Sequence, residues 1–174
     1  MAENDAATPL ETKNRKPETA ATVRVSDSCV HGRGLFAARD IAAAEVLCEY
    51  RGERITKTES HRRSAARAPG EPVYTVSLDE EYDVDGDIPD NPAKYANHGC
   101  DANAELVERD GRLLLVAARD LHAGDEILFD YGFGLADSLR HPCRCGIPGC
   151  AGRILTAPLR PLLKKHLRPH RPAP

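Results

Sequence analysis

The sequence predicts a mainly β fold with few short helices, and two patterns support this prediction. From Val23 onward, short β-prone segments alternate with turns that contain glycine or charged residues. The pair Asp110-Gly111 separates two such segments, which is a strong local signal for a β-hairpin. With 174 residues, the chain is long enough to bury the core of one domain.

The predicted strands follow one another between the first apolar segment and the last aromatic one. They are TVRVSD (22–27), GLFAAR (34–39), EVLCEYRGERI (45–55), VYTVSL (73–78), ELVER (105–109), LLLVAAR (113–119) and DEILFDY (125–131). Two segments resemble each other, AARDIAAAEVL (37–47) and AARDLHAGDEIL (117–128). Each is predicted to form a strand, a tight polar turn and another strand. We interpret this echo as shared turn chemistry rather than as a structural repeat.

Helix is expected in two places. The first spans about 56–67, where the residues TKTE, starting at Thr56, have the spacing of a capping box. The Pro-Gly pair at 69–70 ends this helix. The second helix is short and ends at Tyr95, with Asn91 as its N-cap and a proline in its first turn.

The two ends of the chain and its charge pattern complete the large-scale organisation. Residues 1–21 are polar and aperiodic, which predicts a disordered N-terminal arm. Residues 157–174 are basic and interrupted by proline, which predicts a flexible tail. Acidic residues crowd the stretch 79–90. Such a run is usually solvated surface, and the alternative is that it helps to hold a basic substrate.

Composition also bears on partners and compartment. The net charge of −3 gives no pull toward nucleic acid, and no direct nucleic-acid site is evident. No run of about 18 apolar residues occurs, so no contact with a membrane is expected. The N-terminal sequence lacks the apolar stretch of a secretory signal, which predicts a soluble, intracellular protein with reduced thiols. The Ala- and Arg-rich composition is typical of a GC-rich, bacterial genome, although composition does not indicate a compartment. A bacterial cytoplasm is expected in preference to a nucleus.

The stretch CRCGIPGC (143–150) has the character of a metal site with one ligand missing. It places Cys143, Cys145 and Cys150 close together among turn-forming residues. Four thiolates complete a tetrahedral structural zinc site. Cys100, in the polar loop YANHGCDAN, is the natural fourth ligand, and His141 and His98 are the alternatives because zinc also accepts imidazole.

Other candidate residues have ordinary structural interpretations when each is taken alone. Cys29 and Cys48 lie in apolar strand contexts and are expected to be buried as small hydrophobic residues. The glycines of HGRGLFA are typical of a turn between strands. No G-x-S-x-G, H-E-x-x-H or phosphate-cradling loop occurs, so neither a hydrolase nor a kinase is indicated.

Taken in order, five segments resemble the SET domain, the family of S-adenosylmethionine-dependent protein lysine methyltransferases. They are HGRGLFAARDI, EYRGERI, KYANHGCDAN, DEILFDYGF and CRCGIPGC. The resemblance covers residues 23 to about 156. It implies small β-sheets around a pseudo-knot, in which the segment carrying DYGF passes beneath the loop carrying NHGC. It also implies a SET domain at 22–140 and a post-SET-like zinc-binding segment at 141–156.

The resemblance further implies a role for each matching residue. The residues implied to bind the cofactor S-adenosyl-L-methionine are Gly32, Arg33, Gly34, Leu35, Asn97, His98 and Tyr131. The residues implied to form the catalytic site are Tyr131, near the transferred methyl group, Tyr50 and Tyr74, around the lysine channel, and Phe129, at the position associated with the number of methyl groups added. The ligands implied for one structural zinc ion are Cys100, Cys143, Cys145 and Cys150.

The implied function is transfer of methyl groups from S-adenosyl-L-methionine to a lysine of a basic protein or peptide, with histones or histone-like proteins as candidate substrates. The alternative is a catalytically inactive SET-like interaction module that is stapled by zinc. Two departures from the family pattern affect the knot loop. The usual Asn-His-Ser-Cys-x-Pro-Asn is NHGCDAN at 97–103, and Lys94 stands where arginine is common. Both leave the Asn-His pair intact.

Overall fold

The structure, a computed structural model, describes residues 21–68 and 71–162. The strands in this part of the chain are β1 (Val23–Asp27), β2 (Arg33–Ala37), β3 (Val46–Tyr50), β4 (Glu53–Thr56), β5 (Thr75–Ser77), β6 (Tyr82–Asp85), β7 (Asn97–His98), β8 (Ala104–Arg109), β9 (Arg112–Ala117) and β10 (Glu126–Phe129). The α-helices are α1 (Lys57–Ala66) and α2 (Leu135–Ser138), and the 3-10 helices are Pro92–Tyr95 and Ala157–Leu159. The prediction of a mainly β fold with few short helices is confirmed.

The larger sheet has the strand order β1-β2-β10-β8-β9-β3, and β7 also pairs with β10. Strand β10 therefore lies in the middle of the sheet, antiparallel to β2 and parallel to β7 and β8. The fully buried residues Leu35, Leu115 and Ile127 come from three different strands and pack in one hydrophobic cluster. Burial of these side chains is the main favourable contribution to folding of this sheet.

Two local predictions are confirmed residue by residue. Strands β8 and β9 form the hairpin predicted at Asp110-Gly111, with Arg109 paired to Arg112. Helix α1 begins after Thr56, whose hydroxyl accepts a hydrogen bond from the backbone N–H of Glu59 at 3.2 Å. The helix ends at Ala66, and the Pro-Gly pair at 69–70 lies outside the described residues.

The segment EVLCEYRGERI does not form the single strand that was predicted. It is divided between β3 of the larger sheet and β4 of a second, three-stranded sheet with the order β4-β6-β5. Gly52 lies at the crossing point, where an added Cβ would come within 2.2 Å of the carbonyl oxygen of Asp85. The chain therefore needs glycine at this position because the backbone of β6 lies directly against it.

The acidic stretch 79–90 contains strand β6, which the sequence did not predict. Asp83 and Asp85 are 9% and 8% exposed, respectively. Asp83 pairs with Lys57, and Asp85 accepts a hydrogen bond from Arg63 of α1 at 2.8 Å. Because buried carboxylates need such partners, this part of the stretch stabilises the small sheet and is not solvated surface.

The short helix ending at Tyr95 is present as a 3-10 helix, but Asn91 is not its side-chain cap. The Asn91 side chain is fully buried and points the other way. Its amide nitrogen donates to the carbonyl of Gly86 at 3.0 Å, and its Oδ1 accepts from the backbone N–H of Arg51 at 3.3 Å. Asn91, just before the 3-10 helix, is therefore linked to the residues that directly follow β3 and β6.

The two related segments AARDIAAAEVL and AARDLHAGDEIL pair with each other. Their backbones form an antiparallel bridge at Ile41 and Leu121, with both N–H···O distances at 2.9 Å. The aspartate before each bridge residue accepts a backbone N–H of the other segment at 2.8 Å: Asp40 from Ala123, and Asp120 from Ala43. The similarity of the two segments thus has a structural role beyond shared turn chemistry, because equivalent residues of the two segments hydrogen-bond to each other in a locally symmetric arrangement.

The cysteines outside the CRCGIPGC stretch differ from each other. Cys48 packs against both hydrophobic clusters, and burial raises the pKa of its thiol to about 12. Cys29 is exposed, so the expectation that it is buried is wrong. It lies between β1 and β2 in a turn in which Ser28 accepts the backbone N–H of Val30, and this turn directs the intervening side chain outward.

The ends of the domain are only partly described. Of the predicted disordered arm, residues 1–20 lie outside the described part of the chain, as do residues 163–174 of the predicted tail. Residues 157–162, the first part of that tail, are helical and mostly exposed, and Arg160 among them contacts the domain. The predicted domain boundaries stay predictions. Within the described ranges, no helix has the length and apolarity to cross a membrane.

Candidate active site and cysteine cluster

Tyr131 lies two residues beyond the end of the central strand β10, in an aromatic cluster. Its ring centroid is 4.9 Å from that of Phe129, 5.4 Å from His98 and 5.7 Å from Phe133. The Tyr131 hydroxyl donates a hydrogen bond to the backbone carbonyl of Ala96 at 3.1 Å. Burial raises the pKa of this phenol well above its usual value, so Tyr131 is protonated at neutral pH.

Two further tyrosines of the predicted lysine channel lie close to each other. The hydroxyl of Tyr50 donates to the backbone carbonyl of Tyr74 at 2.6 Å. Tyr50 is 4% exposed, and its pKa is raised by burial and, to a smaller extent, by Tyr131 nearby. Burial also raises the pKa of Tyr74, whose ring is 5.2 Å from the ammonium group of Lys94. The three tyrosine hydroxyls are therefore neutral groups.

Asn97 joins the glycine loop to the central strand. Four acceptors lie within 3.2 Å of its side-chain nitrogen: the hydroxyl of Ser28, the carbonyls of His31 and Arg33, and a carboxylate oxygen of Glu126. Since an amide nitrogen carries two hydrogens, these acceptors share them. The Ser28 hydroxyl in turn donates to the same Glu126 oxygen at 2.6 Å.

The predicted cofactor loop is divided between surface and core. Gly32 and Arg33 are exposed, and the Arg33 guanidinium lies 4.6 Å from the centroid of the Tyr95 ring. Gly34 packs so closely that an added Cβ would lie 2.6 Å from the Glu126 carboxylate. Leu35 is fully buried in the hydrophobic core, so its side chain supports the loop from below.

His98 is buried between the aromatic cluster and the cysteines. Its Nδ1 accepts the backbone N–H of Tyr131 at 3.3 Å, and its Nε2 lies 3.6 Å from the Cys100 sulfur. Burial lowers the pKa of His98 to about 4, although the carboxylate of Asp130 acts in the opposite direction. The imidazole is consequently neutral at pH 7.

The structure brings four cysteine sulfurs together, although they are far apart in sequence. The Sγ atoms of Cys100, Cys143, Cys145 and Cys150 all lie within 4.8 Å of one another. Cys100 is 3.7 Å from both Cys143 and Cys150. Four thiolates at these separations could hold one metal ion, and the donor set is that of a closed structural zinc site.

Neither histidine that was weighed as the fourth ligand belongs to this group of sulfurs. The Nδ1 of His141 lies 2.8 Å from the backbone carbonyl of Asp137, and its ring packs edge-on against Phe133. His98 is committed to the backbone of Tyr131 through one nitrogen. Its other nitrogen faces only the sulfur of Cys100.

Sequence reasoning missed the polar residues that connect these groups: Ser28, Glu126, Asp130 and Arg160. Glu126 and Asp130 flank the apolar core of DEILFDY, so their position at the ends of a central strand was a usable signal. No local signal identified Arg160, because its partners lie 30 and 60 residues away.

The arrangement of β10, the Asn97-His98 pair and the cysteine cluster defines a class of protein. The family model for the SET domain matches residues 32–132, which contain Tyr131 and the glycine loop. The chain belongs to the SET-domain family. The cysteine cluster lies partly beyond the matched residues and is compatible with the zinc site of a post-SET segment.

The relatives are much longer proteins. The chain is 37% identical over 144 residues to histone-lysine N-methyltransferase trr of Drosophila melanogaster, covering 79% of this chain and 6% of that protein. It is 34% identical over 148 residues to the H3 lysine-4 specific histone-lysine N-methyltransferase of Saccharomyces cerevisiae, covering 80% and 13%. It is 34% identical over 135 residues to histone-lysine N-methyltransferase trithorax of Drosophila melanogaster, covering 74% and 4%.

The expected preference for a bacterial cytoplasm over a nucleus is wrong. The relatives that match are histone-lysine N-methyltransferases of flies and yeasts, which are eukaryotes. An Ala- and Arg-rich composition follows the base composition of a genome, and it carries no information about the compartment in which a protein works.

Proposed function

We propose that this protein is an S-adenosyl-L-methionine-dependent protein-lysine N-methyltransferase that acts on a basic protein, with histones as the first candidates. The observation that carries the proposal is the position of Tyr131. Its partly buried, neutral phenol is held by the Ala96 carbonyl, directly beside the Asn97-His98 pair. Membership of the SET-domain family and the names of the relatives support the same activity.

The residues around Tyr131 suit a charged amino-acid cofactor. Within the described ranges, the side-chain hydrogen bonds of Asn97 all involve its amide nitrogen. Its Oδ1 is therefore the atom that would accept a hydrogen bond from the ammonium group of a bound methionine moiety. The neutral imidazole of His98 adds no positive charge that would repel that ammonium group or the sulfonium.

S-adenosyl-L-methionine, when bound, supplies a methyl group activated by attachment to a positively charged sulfur. The residues of this chain would prepare the acceptor. A free lysine amine has a pKa of about 10.4 and is mostly protonated at neutral pH. A channel lined by Tyr50 and Tyr74 favours the neutral amine, because burial disfavours the charged form. The hydroxyl of Tyr131 and the nearby backbone carbonyls would orient the reacting groups.

Zinc would have a structural role in this protein. A site with four cysteine thiolates has no open position for a reacting water molecule. One ligand, Cys100, comes from the loop that follows Asn97-His98, and the other three come from the C-terminal segment. The ion would therefore fasten the C-terminal segment against the active-site loop, and binding of the metal would be coupled to local folding.

A basic substrate agrees with the charge at the turn between β5 and β6. The two described strands are connected by Asp79, Glu80 and Glu81, which are exposed. Asp79 lies 3.6 Å from a guanidinium nitrogen of Arg54, just as Asp83 and Asp85 pair with basic side chains, whereas within the described residues neither Glu80 nor Glu81 forms an ion pair. An exposed acidic turn would attract a lysine-rich peptide and raise its rate of association at low salt.

The test is methyl transfer from labelled S-adenosyl-L-methionine to a panel of core histones and other basic proteins, with the modified residue located by mass spectrometry. We expect Tyr131→Phe to keep the fold and cofactor affinity while lowering methyl transfer by about 100-fold or more. Tyr82→Phe is the matched control, because Tyr82 lies in β6 under Arg54. Undiminished transfer by Tyr131→Phe would refute the assigned role, and a wild-type chain that neither binds the cofactor nor transfers methyl would instead be an inactive SET-like module.

A further inference from the structure

Arg160 lies just beyond the cysteine cluster, in the part of the chain that the sequence predicted to be a flexible tail. Its side chain is only 14% exposed. The guanidinium donates to the carbonyl of Leu155 at 2.8 Å, to the carbonyl of Cys100 at 2.6 Å and to the carboxylate of Asp130 at 2.6 Å. Arginine suits this position because its planar group presents several donors in a fixed geometry and stays charged.

Two of the three partners of Arg160 belong to the segments that carry the proposed active site. Cys100 is two residues beyond His98, and Asp130 directly precedes Tyr131. Asp130 also accepts the backbone N–H of Gly132 at 3.0 Å and that of Ala157 at 3.1 Å. One guanidinium therefore connects the Asn97-His98 loop, the exit of β10 and the C-terminal segment.

The segment before Arg160 lies along the same part of the domain. Leu155 is fully buried, and the backbone N–H of Thr156 donates to the carbonyl of Phe133 at 2.9 Å. Residues 155–160 thus cover the stretch that follows Tyr131. These contacts do not involve the four sulfurs, although one of them reaches the backbone carbonyl of Cys100, so they fasten the C-terminal segment at a second point in addition to the sulfur cluster.

We propose that Arg160 is a positioning residue for the active site, acting through Asp130 and the Cys100 carbonyl to hold Tyr131 and the Asn97-His98 loop in register. The proposal rests on the proposed function, since it assigns a role at the same site. It extends the functional region to residue 160, past the CRCGIPGC segment. Cofactor affinity then depends on an ion pair as well as on the cysteine cluster.

The experiment compares Arg160→Ala, Arg160→Lys and Arg153→Ala in the full chain loaded with zinc. Arg153 is the matched control because it lies in the same segment and also bonds a backbone carbonyl, that of Leu139 at 2.6 Å. It reaches the α2 region and not Asp130. The three measurements are hydrogen exchange of peptides covering 97–100 and 128–134, the dissociation constant of S-adenosyl-L-methionine, and the zinc content.

We expect Arg160→Ala to accelerate exchange in both peptides and to weaken cofactor binding about tenfold, since hydrogen bonds to a charged group are lost. Exchange in the β8–β9 hairpin should be unchanged, and one zinc per chain should remain. Under saturating cofactor, turnover should fall less than the affinity does. Arg160→Lys should recover part of the affinity, because an ammonium can still pair with Asp130 but cannot reach every acceptor.

Two results would overturn the proposal: wild-type affinity and exchange in Arg160→Ala, or equal losses in Arg160→Ala and Arg153→Ala. The latter would indicate general loss of stability. A failure of the proposed function looks different, because the wild-type chain itself would then bind no S-adenosyl-L-methionine.

Discussion

Replacement of Glu126 tests whether a single carboxylate sets the geometry of the predicted cofactor loop. Glu126 accepts hydrogen bonds from the Ser28 hydroxyl at 2.6 Å and from the Asn97 amide at 3.0 Å. It also packs against Gly34, where an added Cβ would lie 2.6 Å from its carboxylate. Glu126→Gln keeps the shape and one acceptor oxygen but removes the charge. Glu126→Ala removes both.

The size of each effect follows from these contacts. Hydrogen bonds to a charged group are about twice as strong as neutral ones, and a neutral one contributes about 1 kcal/mol. Loss of the charge in Glu126→Gln should therefore lower the free energy of unfolding by about 1–2 kcal/mol. Glu126→Ala should cost about 3 kcal/mol, because both bonds are lost and the Ser28 hydroxyl loses its acceptor. Asn97 keeps its bonds to the carbonyls of His31 and Arg33.

Urea unfolding followed by circular dichroism measures the stability, because the chain contains no tryptophan for fluorescence. Calorimetry with S-adenosyl-L-methionine measures the cofactor affinity, which reports on the geometry of the loop. We expect Glu126→Gln to bind within about threefold of the wild type and Glu126→Ala to bind about tenfold more weakly. Glu105→Ala, at an exposed position of β8, is the control. Equal binding by all variants would refute a positioning role, and equally weak binding by Gln and Ala would show that charge rather than shape is required.

Two further substitutions test the cysteine cluster and the acidic strand. Cys100→Ser should abolish stoichiometric zinc binding, measured by elemental analysis of the purified chain. The control Cys29→Ser should retain one zinc, because Cys29 is exposed and outside the cluster. An unchanged zinc content in Cys100→Ser would contradict the predicted ligand set. Asp85→Asn should lower the free energy of unfolding by about 2 kcal/mol, because it weakens a buried pair with Arg63, and Glu80→Gln should change it by less than about 0.5 kcal/mol. Equal free energies of unfolding for these two variants would indicate that Asp85, like Glu80, contributes no stabilising ion pair.

The sequence predicts the parts of this fold that depend on neighbouring residues. The Asp110-Gly111 hairpin and the N-cap at Thr56 are set by interactions over a few residues, and both are confirmed, although the Glu59 side chain binds Arg62 and Arg63 and does not complete the predicted capping box. The strand β7 has only two residues, and it exists because β10 lies beside it. No local periodicity can indicate such a strand.

Errors arose where the meaning of a residue depends on a distant partner. Gly52 looks like a turn glycine within a long β segment, but it is required because the carbonyl of Asp85 lies against it. Asp85 in turn looks like a surface charge. Its burial is favourable because Arg63, on helix α1 between β4 and β5, donates a hydrogen bond to its carboxylate. The sequence contains all three residues and gives no indication that they meet.

The C-terminal segment is attached to the domain at two places, the cysteine cluster and Arg160, and they differ in how well the sequence predicts them. Cysteine is rare, and a cluster of cysteines has few alternatives to metal binding in a reduced compartment. Cys100 could therefore be predicted as the fourth ligand, beside the alternatives His141 and His98, at a distance of 43 residues from Cys143. Arginine is common and usually exposed, so the sequence gives Arg160 no such distinction. Its proposed role follows from three acceptors that converge on one guanidinium, on a side chain that is only 14% exposed. The boundary of a functional domain is therefore better taken from the last residue that contacts the site than from the last recognisable motif, and in this chain that criterion places it at Arg160 or beyond.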